Sequence, residues 1–91
     1  MQIRTARDLG ALVRDRRRAL GWTLDDLAER APMSRRWIAD VEAGKSGVAV
    51  GPLMSLLAVL GVELSAAPRE DSADDALDSY LENLRGGPRA N

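Results

Sequence analysis

The chain has no cysteine and no histidine. Disulfides, thiolate metal sites, imidazole bases and Cys/His nucleophile pairs are thereby excluded. No apolar run approaches the span of a bilayer, and the first residues carry no signal-peptide core, so the chain reads as cytoplasmic. Carboxylates are scattered over helix faces, and no nucleophile, base or phosphate loop can be assembled into a pocket. An enzyme is the least expected class, and no cofactor or metal is expected. A strong charge of either sign is also lacking. The net charge of −1 taken alone argues against a nucleic-acid partner.

The distribution of that charge argues the other way. Through Ser46 there are ten Arg and Lys against seven Asp and Glu; from Gly47 onward, three against seven. A basic head and an acidic tail predict two partners of different kinds. At 91 residues the chain is one small domain with a tail, and its core is marginal for a monomer. The expected division is a helical domain over 1–67 and an acidic linker with an amphipathic helix or flexible tail over 68–91.

The most informative stretch runs from Thr23 to Gly44, TLDDLAERAPMSRRWIADVEAG. Thr23 can cap one helix, with Asp26 at N3 as an acidic variant of the capping box, and Ser34 can cap a second. Trp22 with Leu27, and Met33 with Ile38, have the spacing of hydrophobic staples around those caps. Pro32 pushes Ala31 out of the helical region, and Gly44 suits the end of the second helix. The segment predicts helix, turn, helix.

At 100° per residue the second of these helices divides into two arcs. Trp37, Ile38, Val41 and Glu42 lie on one, and Arg35, Arg36, Ala39, Asp40 and Ala43 on the other. The outer arc offers two guanidinium groups beside methyl-sized residues that admit a close approach. Arginine is the side chain best shaped to grip a guanine edge in the major groove. The alternative is an ordinary solvated arginine pair. Asp40 can accept from a cytosine amino group or restrain Arg36 at i, i+4.

Around this unit, Thr5 caps a helix to about Leu20, with Asp8 at N3, Gly21 past the end, and Ala6, Leu9, Val13 and Leu20 as its stripe. Arg16 and Arg17 lie at opposite edges of that stripe. One of them can meet Glu42 in a structural ion pair, and spacing does not choose between them. Lys45 and Ser46, beside Gly47, can touch phosphate or remain a solvated loop. A fourth helix is expected to start with Pro52 at N1 and to end at Gly61. Val62, Leu64 and Ala66 alternate with polar or small residues, the period of a half-buried strand. A lone strand is unstable, so it must pair with its copy in a second subunit or with residues 2–4. Ser72 can cap a last helix with Leu77, Tyr80, Leu81 and Leu84 on one stripe, stopped at Gly86-Gly87-Pro88.

The run LGALVRDRRRALGWTLDDLAERAPMSRRWIADVEAGK closely resembles the Xre/Cro-type, phage-repressor-like helix-turn-helix family over about residues 8–62. With Val62–Ala67 and the Trp within SRRW added, it looks most like the HipB-type antitoxin branch, whose partners are HipA-like kinase toxins. The resemblance implies an all-α, four- to five-helix domain, with a short C-terminal strand pairing across a homodimer. It implies that the helix begun at Ser34 enters the major groove of double-stranded DNA. By that resemblance Ser34, Arg35, Arg36 and Asp40 fall where base or phosphate contacts are made, Ala39 lies close to the base edges, and Arg17 becomes the partner of Glu42. Thr23, Lys45 and Ser46 complete the expected DNA-contacting set. Two positions depart from the family pattern. Leu24 stands where a phosphate-holding Gln is usual, and Pro32 stands where the turn glycine is usual.

The expected function is a dimeric, nucleoid-associated repressor of an inverted-repeat operator, acting as the antitoxin of a toxin–antitoxin pair. A regulator without a toxin is one alternative; a protein-interaction module on the same fold is the other.

Overall fold

The computed structural model describes residues 2–68 and 73–84. It holds five helices: α1 (Ala6–Ala19), α2 (Leu24–Arg30), α3 (Arg35–Glu42), α4 (Val50–Val59) and α5 (Ala73–Leu84). The fold is all-α.

Local chemistry explains most helix boundaries. Thr5 accepts from the Asp8 amide, Thr23 from that of Asp26, and Ser34 from that of Trp37. At α2 the capping box is reciprocal, because the Asp26 carboxylate also accepts from the Thr23 amide at 2.9 Å. Those hydrogen bonds hold the Asp26 carboxyl below its ordinary range. Three helices end alike. Gly21, Gly44 and Gly61 have φ of 76°, 85° and 71°. In each case the following amide reaches back to the carbonyl five residues earlier, as in Trp22 to Arg17, Lys45 to Asp40 and Val62 to Leu57. This is the Schellman closure, and the left-handed φ it needs is why glycine stands there.

The start of α4 differs from expectation. The helix begins at Val50 after an N-cap Ala49 that offers no side-chain bond, so Pro52 sits at the third helical position. Its missing N–H still costs nothing there, since the first-turn donors have no partner within the helix.

The core consists of Val13, Leu27, Ala31, Ile38, Val41, Leu53, Leu56, Leu57 and Leu60. Trp22 and Met33 pack against the cluster that contains Leu27 and Ile38, the residues with which they were spaced as staples. Leu20, expected on the α1 stripe, is the C-cap and is exposed instead. Its place in the buried face is taken by Gly10 and Arg17. A Cβ built on Gly10 would lie 2.3 Å from the Val41 carbonyl oxygen and 2.8 Å from that of Glu42. The backbones of α1 and α3 therefore approach so closely that only glycine fits.

No strand occurs among the described residues, and 62–68 carry no regular secondary structure. The alternative pairing with residues 2–4 is not made. The two segments instead flank an open cleft of about 770 Å³ over Leu12, lined by Ile3, Val62 and Leu64 among others. No other segment among the described residues supplies a second strand to complete a ladder, so the alternating pattern alone does not produce one. The expected cap at Ser72 and the stop at Gly86–Pro88 lie outside the described residues.

Replacing Gly10 by alanine tests the α1–α3 contact. Helix propensity alone favours alanine by about 1 kcal/mol in this position. The steric conflict with two fixed carbonyls is expected to reverse the sign and destabilise the protein by about 1–3 kcal/mol in chemical denaturation. Stabilisation by Gly10→Ala would show that α1 and α3 are not in close contact.

Candidate nucleic-acid interface

α3 is held from its inner side. Ile38 is fully buried and Val41 nearly so, while Trp37 packs on the same cluster. Glu42 closes the helix and is buried with Arg17. The Arg17 Nε donates to Glu42 Oε2 at 2.7 Å and its Nη2 to Oε1 at 2.9 Å, a bidentate pair. The two side chains are only 10% and 8% exposed. The remaining guanidinium nitrogen, Nη1, donates to the Trp22 carbonyl at 2.8 Å. The hydrogen bonds that Arg17 donates to Glu42 raise its pKa above the ordinary value, so the guanidinium stays charged. Arg16, the other arginine open to this role, donates instead to the Leu60 carbonyl at 2.7 Å and satisfies the end of α4.

With the inner arc fixed, the outer arc faces solvent. Ser34, Arg35, Arg36 and Ala43 are exposed, and Ala39 and Asp40 are half-buried. Lys45 and Ser46 are exposed just beyond the helix, and Thr23 is exposed at the start of α2. Thr23 and Ser34 each spend one hydroxyl lone pair on capping, which leaves the O–H able to donate. Leu24 packs against the core, consistent with a residue that offers no polar group to a phosphate.

The cations of this face are unequally free. Arg35 Nε lies 2.9 Å from Asp25 Oδ1, an ion pair between α3 and α2. Lys45 Nζ lies 3.5 Å from Asp40 Oδ2. Asp40 thus pairs with Lys45 rather than with Arg36 one turn back. The Schellman closure, which carries the Lys45 amide to the Asp40 carbonyl, brings those two residues together. Arg36 has no ion pair or side-chain hydrogen bond among the described residues. With side chains 60% and 75% exposed, the Arg35–Asp25 pair is worth about 0–1 kcal/mol to folding. Asp25 is a member of this face that the sequence reading did not single out. Its contact crosses the turn between two helices and leaves no local spacing signal.

The arrangement can hold a planar, hydrogen-bonding edge or a phosphate against α3. Two helices joined by the short turn Ala31–Ser34, the second presenting a polar arc and the first bracing it, define a helix-turn-helix protein. The comparison with known proteins agrees: residues 8–70 match the family model described as a helix-turn-helix domain, and the chain belongs to that family. It is also 39% identical over 70 residues to an uncharacterized HTH-type transcriptional regulator, y4mF, of Sinorhizobium fredii (strain NBRC 101917 / NGR234). That match covers 76% of this chain and 92% of the relative. No helix among the described residues is long and apolar enough to cross a membrane.

The buried pair gives a two-sided prediction. Arg17→Met should destabilise the protein by about 3–5 kcal/mol, because it strands the Glu42 carboxylate in the interior. Adding Glu42→Leu should recover most of that loss, since two well-packed apolar residues replace such a pair at little net cost. Urea denaturation of the two single variants and the double variant reads the coupling. Additive losses would mean that the two side chains do not depend on each other.

Proposed function

We propose that the protein is a sequence-specific DNA-binding transcriptional repressor that acts as a homodimer. The Ser34–Asp40 face of α3 enters the major groove of double-stranded DNA. Two copies read an inverted repeat with half-sites about one helical turn, roughly 34 Å, apart. The observation that carries this reading is the outer arc of α3, where two exposed guanidiniums stand beside Ala39 and Ala43 on a helix whose other side is locked into the core. Membership of the helix-turn-helix family and the naming of the S. fredii relative as a transcriptional regulator support it. Arg36, which meets no carboxylate among the described residues, is the primary base-reading group; Arg35 and Asp40 flank it, and Lys45 and Ser46 meet the sugar–phosphate backbone.

The dimer is assigned to Val62, Leu64 and Ala66. These residues edge the cleft opposite residues 2–4, and Leu64 is 42% exposed. A second copy of the segment supplies the pairing strand that is absent among the described residues. The finer role proposed is that of an antitoxin to a HipA-like kinase toxin. Its support is α5, which exposes Leu77, Tyr80 and Leu84 along one stripe of an acidic helix, an unfilled apolar face suited to a protein partner. Co-purification of a kinase encoded beside the gene separates the antitoxin from a regulator without a toxin. An interaction module that does not bind DNA is favoured by the near-neutral net charge and by the burial of Leu24 against the core.

Duplexes selected from a random library by the purified protein provide the test. Arg36→Ala should lose about 1–3 kcal/mol on the selected site and relax preference at one base pair. Undiminished binding by this variant would remove α3 from the interface. A shallow dependence of wild-type affinity on salt would favour the interaction module.

A further inference from the structure

We infer that Asp25 is a specificity-determining residue of the DNA-reading face, acting through Arg35. This rests on the DNA reading above and extends it to a residue on the neighbouring helix. The ion pair joins α2 to α3 at 2.9 Å through Arg35 Nε, and no partner among the described residues takes the two Nη nitrogens. A guanidinium engaged at Nε keeps its far edge open, and that edge supplies parallel donors to the O6 and N7 of guanine. Asp25 therefore limits the directions Arg35 can take and aims its free edge away from α2. The pair is largely solvent-exposed, so its contribution to folding is small and its effect is felt on binding.

The same carboxylate acts against the wrong ligand. An arbitrary duplex offers the face chiefly phosphate charge. On such DNA, Asp25 both occupies Arg35 and repels the backbone, with no base contact in return. On the correct site the guanine edge is satisfied without displacing Asp25 from Nε. Asp25 thus lowers non-specific affinity more than specific affinity, which is the ratio that matters among many competing sites. Lys45 and Asp40 repeat the arrangement at the other end of α3, so that of the three cations at this face only Arg36 is unscreened by a carboxylate among the described residues.

The test uses the full-length protein, its selected duplex, versions of that duplex changed at single base pairs, and an unrelated duplex, each titrated over a range of salt. Asp25→Asn should tighten binding to unrelated DNA about three- to tenfold and steepen its salt dependence by about one counterion. It should tighten binding to the selected site less, or weaken it, so that the specificity ratio falls. In an Arg35→Ala background the same substitution should no longer alter discrimination at the base pair Arg35 reads. The melting temperature of Asp25→Asn should fall by no more than a few degrees, so that the variant stays folded at the temperature of the titrations. An equal gain on every duplex would reduce Asp25 to a bulk charge and overturn the inference, as would no change on any. Wild-type protein that binds no duplex overturns the DNA reading itself, and this inference with it.

Discussion

One guanidinium ties two helices and the turn between α1 and α2 together in this protein. Arg17 sits in the last turn of α1, where a cation is favoured by the helix dipole. Glu42 is the last residue of α3, where a carboxylate is disfavoured by the same effect. Burying Glu42 at that end is tolerable only because two of the Arg17 nitrogens meet its oxygens. The third nitrogen goes to the Trp22 carbonyl, at the point where the chain leaves α1 for α2. The pair thereby sets the end of α1, the entry to α2 and the end of α3 relative to one another. Gly10 is its steric counterpart, since without a close backbone approach the α1 side chains would not meet the end of α3 in this way.

What the frame positions is a surface, and its chemistry is moderate rather than strongly basic. Arg35 and Lys45 each lie against a carboxylate, and Arg36 alone is unpaired among the described residues. Such a face gains little from charge alone. Under the proposed function it depends on shape and on the direction of a few donors, which is the physical requirement for reading base edges rather than for coating a polyanion. The rigid inner arc and the selective outer arc are consequences of one helix having two different sides.

Much of the fold was legible because its signals are local. Caps at Thr5, Thr23 and Ser34, glycines at 21, 44 and 61, and the two-arc division of α3 each depend on residues within a turn of one another. The start of α4 was misplaced because Pro52 is tolerated throughout the first turn and no capping side chain marks the boundary. Residue spacing could not choose between Arg16 and Arg17, since both border the apolar stripe; the family resemblance selects Arg17, and the approach of α3 to α1 brings Glu42 to it. A glycine in the middle of α1 was a signal of close packing that the stripe of larger residues concealed. Asp25 left no signal, because its partner lies across a turn. The strand pattern at 62–67 has the period of a segment suited to pairing, yet no strand forms there among the described residues.

The central claim is that α3, and not α4 or α5, is the surface that meets DNA. Backbone amide NMR signals followed through a titration with a selected duplex address it most directly. The account predicts the largest shifts at residues 34–36, 39–40 and 45–46, with smaller ones near 23–25. The signals of Val13, Arg17 and Leu56 should hardly move. Shifts concentrated in α4 or α5, with α3 unchanged, would contradict it.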